Sequence, residues 1–395
     1  MVRTEEWMKR DFEYIVLGLG GWGAAAAYWL SRRAGTEVLG LEQFQIGHVR
    51  GESEDHSRII RLSYHTPGYV ELAKHAYQAW FEVEQDSGDQ LVRKTGGLDF
   101  GPRTSAIPLS SYSDSMDSAG VVYEHLDAGE IMKRWPQFRL TEDIHGLFQA
   151  ESGIAMAARG NAAHVRMARA YGATLRDHAP VDWIGPSAGE IDVTAGGTTY
   201  RGRRLVIAAG SWSNRALGHF GVRLPLRVSK EQVTYFASPH QADFQPDRFP
   251  IWIWLDDPCF YGFPVFGEPG PKAGQHAGGV EVDPDTRDFD PDRAALQRTI
   301  AFLERYVPRA LGPIIYTKTC LYTLTPDRDF VIDFVPGCRE AIVGIGGGHG
   351  YKFASTIGRI LSELAIDGCT ARNLEPFRID RPILRMENPP AHSMM

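Results

Sequence analysis

Blocks of apolar residues along the chain predict strands and helices in alternation, and the first two blocks are the most informative. Residues 14–17 are apolar and include β-branched types, which is typical of a buried strand. An alanine-rich run at residues 24–33 contains neither Gly nor Pro and predicts a helix. Gly18, Gly20 and Gly23 form a G-x-G-x-x-G turn between the two. The segment therefore predicts a strand, a tight turn and a helix in direct succession.

This turn predicts a site for a diphosphate. Its first glycine allows the sharp reversal, its second lets a pyrophosphate approach the backbone, and its third lets helix and strand pack closely. The helix N-terminus adds free N–H groups and a partial positive charge. A second predicted strand, residues 37–41, ends in Glu42, whose carboxylate suits an adenosine ribose and would repel a 2′-phosphate. A glycine turn without a ligand is the alternative, but strand, helix and acid together favour an ADP-containing cofactor. These residues leave NAD and FAD open.

Two later segments also end in glycines. Residues 204–209 predict a buried strand that ends at Gly210, where a ligand would lie across the strand ends of an α/β sheet. A tight turn before a helix starting at Trp212 explains Gly210 equally well. Residues 341–345 predict a strand that leads into the run 346–350, where four glycines in five positions permit close backbone approach. We therefore expect the start and the end of the chain to contact one ligand.

The pattern changes between residues 224 and 271, where short aromatic strands separated by prolines favour an antiparallel sheet. We predict a fold of the α/β class (α+β overall), with a Rossmann-like dinucleotide-binding domain and a substrate domain built on a mixed, mainly antiparallel sheet. The predicted boundaries are residues 11–90, 150–220 and 320–385 for the first, discontinuous domain and residues 91–149 and 221–319 for the second.

Length, charge and cysteine spacing narrow the class of protein. A chain of 395 residues predicts two or three structural units. The formal charge of −7 disfavours nucleic acid and anionic membranes as partners. Residues 1–10 lack an apolar signal core and no run approaches a membrane span, so we expect a cytoplasmic protein. The four cysteines show no C-x-x-C spacing and no nearby His pair, which predicts reduced thiols and no metal site.

Considered by local sequence alone, three basic residues are predicted to lie on the protein surface. Arg58 and Arg61 flank two isoleucines, and on a helical turn both guanidinium groups would share one side. Their spacing alone favours a pair of surface arginines. Lys272 lies in a Gly/Pro-rich stretch, where a solvent-exposed lysine is the simplest expectation.

The order of the motifs is nevertheless specific. The chain resembles the monomeric sarcosine oxidase and N-methyltryptophan oxidase family, within the D-amino-acid-oxidase superfamily of flavoproteins, over nearly its whole length. The motifs that carry the resemblance are residues 18–23, 57–61, 261–264, 272–276, 320–327 and 348–353. Residues 53–56 (Ser-Glu-Asp-His) depart from the Ser/His/Gly-Asp pattern that relatives tend to have.

The resemblance implies that the cofactor is FAD, held by a Rossmann-like FAD-binding domain. It implies a covalent bond from the Cys320 sulfur to the flavin 8α-methyl group, whereas a small buried strand residue is the alternative for Cys320. The cofactor-binding residues that it implies are Gly18, Gly20, Gly21, Trp22, Gly23, Glu42, Ser57, Arg58, Val181, Gly210, Trp212, Cys320, Gly347, Gly348, Gly350 and Lys352.

The resemblance also assigns roles in the reaction. It implies a lysine over the flavin N5 at Lys272, where a fixed positive charge would favour reduction of O2. It implies that Arg58 stabilises the anionic reduced flavin, with His276 and Tyr261 as further catalytic residues. Arg61 and Lys352, which are donors only, would bind a substrate carboxylate. Tyr322 and Trp252 are expected on the substrate side of the cavity.

The expected reaction is oxidation of a secondary amino acid, such as sarcosine or another N-methyl amino acid, with hydride transfer to FAD, imine hydrolysis and reduction of O2 to H2O2. A cyclic imino acid of the pipecolate or proline type, or a biosynthetic amine intermediate, is the alternative substrate. A flavin dehydrogenase with a protein acceptor and a cofactor-binding protein without turnover are alternatives of other classes. The partners expected are the small amine and O2, and the expected oligomeric state is a monomer.

Overall fold

The computed structural model describes residues 9–187 and 189–390. The sequence predicts no signal peptide at the start of the chain. That prediction concerns mostly residues 1–8, which lie outside the described residues. Within the described ranges, no helix has both the length and the apolar character needed to cross a membrane.

Twenty strands and eight α-helices form within the described residues. The strands are β1 (Asp11–Leu17), β2 (Val38–Leu41), β3 (Arg58–Ile60), β4 (Val92–Lys94), β5 (Gly97–Pro102), β6 (Glu124–Asp127), β7 (Ile144–Gln149), β8 (Gly153–Ala155), β9 (Thr174–Arg176), β10 (Val181–Ser187), β11 (Glu190–Ala195), β12 (Thr198–Ile207), β13 (Arg227–Phe236), β14 (Ile251–Trp254), β15 (Phe260–Phe263), β16 (Lys272–Gln275), β17 (Val280–Glu281), β18 (Ile314–Leu324), β19 (Val331–Val335) and β20 (Cys338–Ile345). The helices are α1 (Gly21–Ala34), α2 (Pro67–Ser87), α3 (Leu109–Ser118), α4 (Ala128–Arg134), α5 (Ala157–Ala170), α6 (Ser213–Gly218), α7 (Arg293–Tyr306) and α8 (Ala354–Asp367).

An eight-stranded sheet brings the ends of distant segments together. Its strands follow the order β10-β11-β12-β1-β2-β9, with β20 beside β12 and β19 beside β20. Strands β9, β2, β1, β12 and β20 run parallel to their neighbours in this part of the sheet. Their carboxyl ends therefore share one edge, which is where open α/β sheets bind ligands. Gly18, Glu42, Ala208 and Gly346 each directly follow one of these strands, so they lie along the same edge.

The central parallel strands β1 and β2 are buried on both faces, which explains their continuous apolar sequence. Ile15 and Val16 of β1 point to opposite faces and both have 0% exposure. Helix α1 covers one face with four alanines and packs against α5 and α8. The approach of α1 and α8 is close, since a Cβ at Gly358 would lie 2.4 Å from the Cβ of Ala25.

A nine-stranded mixed sheet contains the aromatic strands. Its order is β17-β13-β16-β15-β14-β5-β7-β6, with β18 also paired to β13. Every pairing in it is antiparallel except that of β14 with β5. The predicted fold class, an α/β unit built on parallel strands with a second, mixed and mainly antiparallel sheet, is confirmed.

A three-stranded sheet, β3-β8-β4, corrects one local prediction. Arg58 begins strand β3 and does not lie on a helical turn, and Arg61 directly follows that strand. The expectation of two surface arginines is also wrong, because Arg61 is only 2% exposed and Arg58 is mostly covered. Two buried apolar neighbours, Ile59 and Ile60, hold this strand inside the protein.

Candidate active site

A large cavity opens at the shared carboxyl edge of the parallel strands. Backbone from the turn after β1, the end of β12 and the loop after β20 forms its wall. Tyr261 of β15 and Tyr322 of β18 bring the nine-stranded sheet to the same cavity. Residues far apart in the sequence therefore face one space.

The turn after β1 requires glycine at two positions. Gly18 has a φ of +86°, and a Cβ on it would lie 2.5 Å from the carbonyl oxygen of Ala208. A Cβ on Gly23 would lie 1.8 Å from the carbonyl oxygen of Gly18. Helix α1 starts at Gly21, its N-cap Gly20 makes no side-chain cap, and its first turn carries no acid. Gly18, Gly20 and Gly21 line the cavity, which leaves this positive helix end facing it.

Glu42 lies beside this turn at the end of β2. It is buried, lines the cavity, and accepts hydrogen bonds from the backbone N–H groups of Leu19 (2.8 Å) and Phe44 (3.1 Å). The backbone therefore fixes the carboxylate in position. Each carboxylate oxygen has two lone pairs, so these bonds leave acceptor capacity for a ligand.

The other predicted cofactor positions line the same cavity with four exceptions, which are Gly23, Ser57, Cys320 and Gly347. Val181, Gly210 and Trp212 line it on one side, and Trp22, Gly348, Gly350 and Lys352 line it on another. The indole N–H of Trp22 donates to the Gly350 carbonyl at 3.0 Å, which ties the first turn to the last glycine run. Gly23 and Gly347 do not line the cavity. A Cβ on Gly347 would lie 2.0 Å from the carbonyl oxygen of Arg328, so both glycines permit packing behind the wall.

Cys320 lies in a smaller recess that shares Arg58, Tyr261 and Tyr322 with the cavity. Burial raises the pKa of the Cys320 thiol to about 11, and the nearby Arg58 charge opposes that rise. Its sulfur is a free thiol in this structure.

A buried ionic network surrounds Lys272. Its Nζ donates to Asp55 Oδ2 and to the carbonyl oxygen of Ser57, both at 2.9 Å. Asp55 also pairs with Arg58 at 3.2 Å and accepts a hydrogen bond from the Tyr235 hydroxyl at 2.8 Å. The side chains of Asp55 and Lys272 are each 1% exposed, so the expectation of a solvent-exposed lysine is wrong.

The two cations perturb Asp55, and burial perturbs Lys272. Burial alone would raise the pKa of Asp55, but the charges of Lys272 and Arg58 hold it well below its ordinary value. Burial lowers the pKa of Lys272 to about 8, against the opposing effect of Asp55. Lys272 and Ser57 lie behind the cavity wall, and Arg58 is the member of this group that lines it. The Lys272 ammonium is also 4.1 Å from the ring centre of Phe263, a wall residue.

Arg61 and Lys352 reach another part of the wall. Arg61 Nη1 pairs with Asp99 Oδ1 at 3.0 Å, and both side chains are buried. Lys352 Nζ donates to the His349 carbonyl at 3.2 Å. Burial and then the Arg61 charge hold the pKa of Lys352 well below its ordinary value. Two buried basic side chains therefore face the cavity together.

Aromatic side chains and neutral imidazole complete this region. His276, Tyr261 and Tyr322 line the cavity, and the rings of His276 and Tyr322 are 5.4 Å apart. Burial, followed by the charges of Arg328 and Lys352, lowers the pKa of His276 to about 3. His276 is therefore neutral at physiological pH.

Trp252 requires a correction, because the structure does not place it at the cavity. Its ring stacks on Phe302 at 5.5 Å and meets Phe100 edge-on, inside the core of the nine-stranded sheet. Side chains alternate along β14, so the neighbouring Ile253 faces the cavity instead. Both faces of this strand are buried, and hydrophobic alternation alone could not tell them apart.

Comparison with known proteins identifies the family. Residues 13–364 match the sequence profile of the DAO family, described as FAD dependent oxidoreductase. The chain belongs to this family. It is 31% identical to the monomeric sarcosine oxidase of an Arthrobacter species, over 96% of this chain and 99% of that one. It is 29% identical to the N-methyl-L-tryptophan oxidase of Salmonella arizonae, over 94% of this chain and 99% of that one.

The fold agrees with this assignment. The solved structure of NikD, described as an unusual amino acid oxidase essential for nikkomycin biosynthesis, matches with a TM-score of 0.84 and 27% identity, over 96% of this chain and 100% of that one. The resemblance predicted from the sequence is confirmed, and the cofactor of the family is FAD.

The cavity of this DAO family member fits FAD. Gly18, Gly20 and Gly21 line it at the start of α1, and Glu42 lines it at the end of the neighbouring strand β2, where it can accept a hydrogen bond from a ribose. Within the described residues, no group of three or more His, Cys, Asp or Glu side chains could hold a metal ion.

Three acidic residues near the cavity were missed by sequence reasoning. Asp55 lies in the loop whose sequence departs from the family pattern, and that departure is a signal. Asp99 is a lone charge inside the apolar strand β5, which also marks a buried partner for a cation. Glu52 lines the cavity and accepts hydrogen bonds from Ser211 (3.2 Å) and Thr323, and burial raises its pKa to about 7.

Proposed function

We propose that the protein is a flavin-dependent oxidase of a secondary amine amino acid, with sarcosine or another N-methyl amino acid as substrate. The observation that carries the proposal is the convergence of Arg61 and Lys352 on one wall of the cavity. Both are buried donors, and a carboxylate is the complementary anion. The names of the similar enzymes, sarcosine oxidase and N-methyl-L-tryptophan oxidase, support an amine substrate that carries a carboxylate.

The cofactor would lie along the cavity wall from the first turn to the β18 side. Gly18, Gly20 and the start of α1 would bind the diphosphate, and Glu42 would accept from the ribose. When bound, FAD supplies the redox chemistry, accepting a hydride from the carbon next to the amine nitrogen and returning the electrons to O2 as H2O2. Water then hydrolyses the released imine.

The chain's own residues orient and polarise these partners. Arg61 and Lys352 would hold the substrate carboxylate, and Tyr261, Tyr322 and neutral His276 would enclose the amine. Arg58 would stabilise negative charge on the reduced cofactor, and Lys272 behind it would supply fixed positive charge for O2 reduction. We further propose covalent attachment of FAD through Cys320, supported by the position of Cys320 with Arg58 in the recess that adjoins the cavity.

A second candidate is oxidation of a cyclic imino acid or a biosynthetic amine intermediate. The likeness to NikD, whose description places it in the biosynthesis of a natural product, favours this candidate. Both candidates use the same carboxylate site. They differ in the group that the Tyr261 and Tyr322 side of the cavity must accommodate.

The substrate class can be tested by reducing the bound flavin without oxygen. A panel of N-methyl and cyclic amino acids, each paired with its carboxylate-free amine, should bleach the flavin absorbance only when the carboxylate is present. Replacing one partner of a charged hydrogen bond costs about 1.5–3 kcal/mol, so Arg61→Ala or Lys352→Ala should weaken binding by about 10- to 150-fold.

Arg61→Lys should also weaken binding, because a point charge cannot replace the guanidinium fork. The carboxylate-free amines serve as the control and should lose little further in any of these variants. Unchanged binding of amino acids by both alanine variants would show that the carboxylate binds elsewhere and would remove the main support for an amino-acid substrate.

Two features of the molecule remain proposals. We propose that it acts as a cytoplasmic monomer, which cell fractionation and light scattering after gel filtration would test. We also propose that its two large sheets mark the two domains predicted from the sequence. The predicted boundary at residue 320 falls inside β18, which pairs with β13 of the nine-stranded sheet, so the proposed boundary moves to the end of β18 at Leu324. Limited proteolysis that cuts first near residues 90, 150 and 220 and just after Leu324 would support these boundaries.

A further inference from the structure

Asp99 gives the proposed carboxylate site an acidic residue of its own. Its carboxylate pairs with Arg61 Nη1 at 3.0 Å, and the two side chains are 5% and 2% exposed. Arg61 lines the cavity and Asp99 does not, so Asp99 reaches the cavity only through the guanidinium. The pair is therefore part of the wall, with its positive member facing the ligand.

The Arg61 guanidinium is held in place from several sides. Its centre lies 4.9 Å from the ring of Tyr64 and 5.7 Å from that of Tyr112. Its buried Nε has no hydrogen-bond partner within the described residues. Asp99 thus neutralises the charge at one end of the group and leaves donor capacity for a ligand.

Lys352 is the second basic side chain of this wall. Its Nζ donates to the His349 carbonyl, which is neutral, and none of the ion pairs formed by the described residues includes Lys352. Asp99 also acts on Lys352 at longer range, because its negative charge opposes the lowering of the Lys352 pKa. Arg61, Lys352 and Asp99 therefore behave as one buried charge cluster.

When Lys352 is protonated, one ligand carboxylate brings the net charge of this cluster to zero. Two cations and one internal anion leave one positive charge when Lys352 is protonated, and buried charge is costly unless it is paired. We propose that Asp99 sets the charge of the substrate site, so that the site accepts an amino acid with a single carboxylate and disfavours one with a second carboxylate. Asp99 acts through Arg61 and is a charge-setting residue that does not touch the substrate.

This proposal rests on the proposed function, since it assumes that Arg61 and Lys352 bind the substrate carboxylate. Whatever the protonation state of Lys352, Asp99→Asn adds one positive charge to the cluster and keeps an oxygen that can accept from Arg61. Removing the internal anion should therefore improve binding of dianions relative to monoanions of the same size. A single charge interaction in a partly buried site changes a binding constant by about tenfold or more.

Malonate and its monoamide, malonamate, form a matched pair of ligands for the test. They have nearly the same size, neither can be oxidised as an amine, and they differ by one carboxylate. The short spacing of the two groups forces both to lie near Arg61 and Lys352. Their Kd values would be measured on the flavin-loaded enzyme by titration calorimetry and by the change in flavin absorbance, at a pH where malonate is a dianion.

The wild type should bind malonamate at least as tightly as malonate, and Asp99→Asn should shift the ratio of the two Kd values toward malonate by about tenfold. Asp327→Asn is the control, because Asp327 pairs with Arg381 at 2.6 and 2.9 Å, is similarly covered and does not line the cavity. Its ratio should equal that of the wild type.

Other results of these binding measurements would contradict either the role of Asp99 or the carboxylate site itself. A shift of less than about threefold in Asp99→Asn, or an equal shift in Asp327→Asn, overturns the role of Asp99. Tighter binding of malonate than malonamate by the wild type overturns it without any variant, which covers the case that Asp99→Asn does not fold. If the wild type binds neither ligand, the carboxylate site itself is wrong and the proposed function fails with it.

Discussion

Lys272 is buried with one negative partner, Asp55, and one positive neighbour, Arg58. Water and dissolved ions screen the charge of a buried ammonium group only weakly. The charge of Lys272 therefore acts more strongly on nearby groups than it would at the surface. Burial lowers its pKa to about 8, so a change of pH near that value changes the charge beside the cavity. The role that we propose for Lys272 in the oxygen reaction can therefore be tested by both substitution and pH.

Replacing Lys272 with Met keeps most of the side-chain volume and removes the charge. Flavin reoxidation by O2 should slow by about 100-fold, the size of a lost electrostatic contribution, while reduction by substrate changes less. In the wild type, reoxidation should slow as the pH rises through about 8, because the protonated form is the active one. Stopped-flow measurements of the two half-reactions check both statements, with Lys74→Met as the control, because Lys74 is partly exposed and does not line the cavity.

Equal slowing of both half-reactions in Lys272→Met would instead indicate a structural role for the lysine. A pH profile of reoxidation that is unchanged in the variant would contradict titration of Lys272. Asp55→Asn extends the test, because removing its negative charge should lower the Lys272 pKa further and move the decline to lower pH.

Cys320 provides a second prediction at the scale of a residue. If it carries the flavin, protein precipitated in acid should remain yellow, and Cys320→Ser should release its flavin into the supernatant. Cys259→Ser is the control, because Cys259 is also a free thiol but does not line the recess. A colourless wild-type precipitate would exclude the covalent bond.

Individual residues were predictable from the sequence to different degrees. The glycines of the first turn follow from backbone geometry, since Gly18 and Gly23 have no space for a Cβ. Arg61 and Lys272 were harder, because a charged residue in a polar stretch has no periodic signal that distinguishes solvent from a buried partner. Each pairs with an acid far away in the sequence, Asp99 or Asp55, and such pairs become visible only in the fold.

The unit of strand β1, glycine turn and helix α1 is the element on which the cofactor site depends. Gly23 lets α1 pack against β1, whereas Gly20 lies at the cavity with ordinary extended backbone angles. A Cβ on Gly20 would lie 3.5 Å from the Ser53 hydroxyl, which is an ordinary contact, whereas a Cβ on Gly23 would overlap the Gly18 carbonyl oxygen. The two glycines therefore have separable roles.

Gly23→Ala should destabilise the protein even without flavin, by about 3 kcal/mol, because the added methyl group forces helix and strand apart. Gly20→Ala should leave the stability of the flavin-free protein within about 1 kcal/mol and weaken flavin binding instead. Denaturant unfolding of the flavin-free proteins, together with flavin titration, measures both effects. Equal stability of the two variants would contradict the assignment of Gly23 to helix packing.

For strand β14, the sequence pattern predicts which residues share a face but not which face lines the cavity. Period-two alternation correctly places Trp252 and Trp254 on one face, and both pack against Phe302. The pattern does not say which face meets the cavity, because apolar residues occupy both. Ile253 faces it, and this follows from the pairing of β14 with β5 and β15.

At the scale of the whole molecule, the cavity joins the two large sheets. Gly18, Glu42 and Gly210 belong to the edge of the eight-stranded sheet, whereas Tyr261 and Tyr322 belong to the nine-stranded sheet. The sequence predicted that the start and the end of the chain meet at one ligand. It could not predict that the second sheet lines the same cavity, because this depends on packing between elements that share no sequence pattern.

A cofactor that spans this cavity should stabilise the contact between the sheets, and a fragment of it should not. If Cys320 carries the flavin as proposed, Cys320→Ser allows the flavin to be removed and added back. A ligand at 100 times its Kd stabilises a folded protein by about 2.7 kcal/mol, so added FAD should raise the Tm of the flavin-free variant and delay its proteolysis.

ADP, which would reach Gly18 and Glu42 but not Tyr322, should protect the eight-stranded sheet and leave cleavage between residues 221 and 319 unchanged. Comparison at equal multiples of each Kd removes the difference in affinity. If ADP protects residues 221–319 as well as FAD does, the cofactor does not connect the two sheets, and the cavity would have to be coupled to the second sheet through the protein alone.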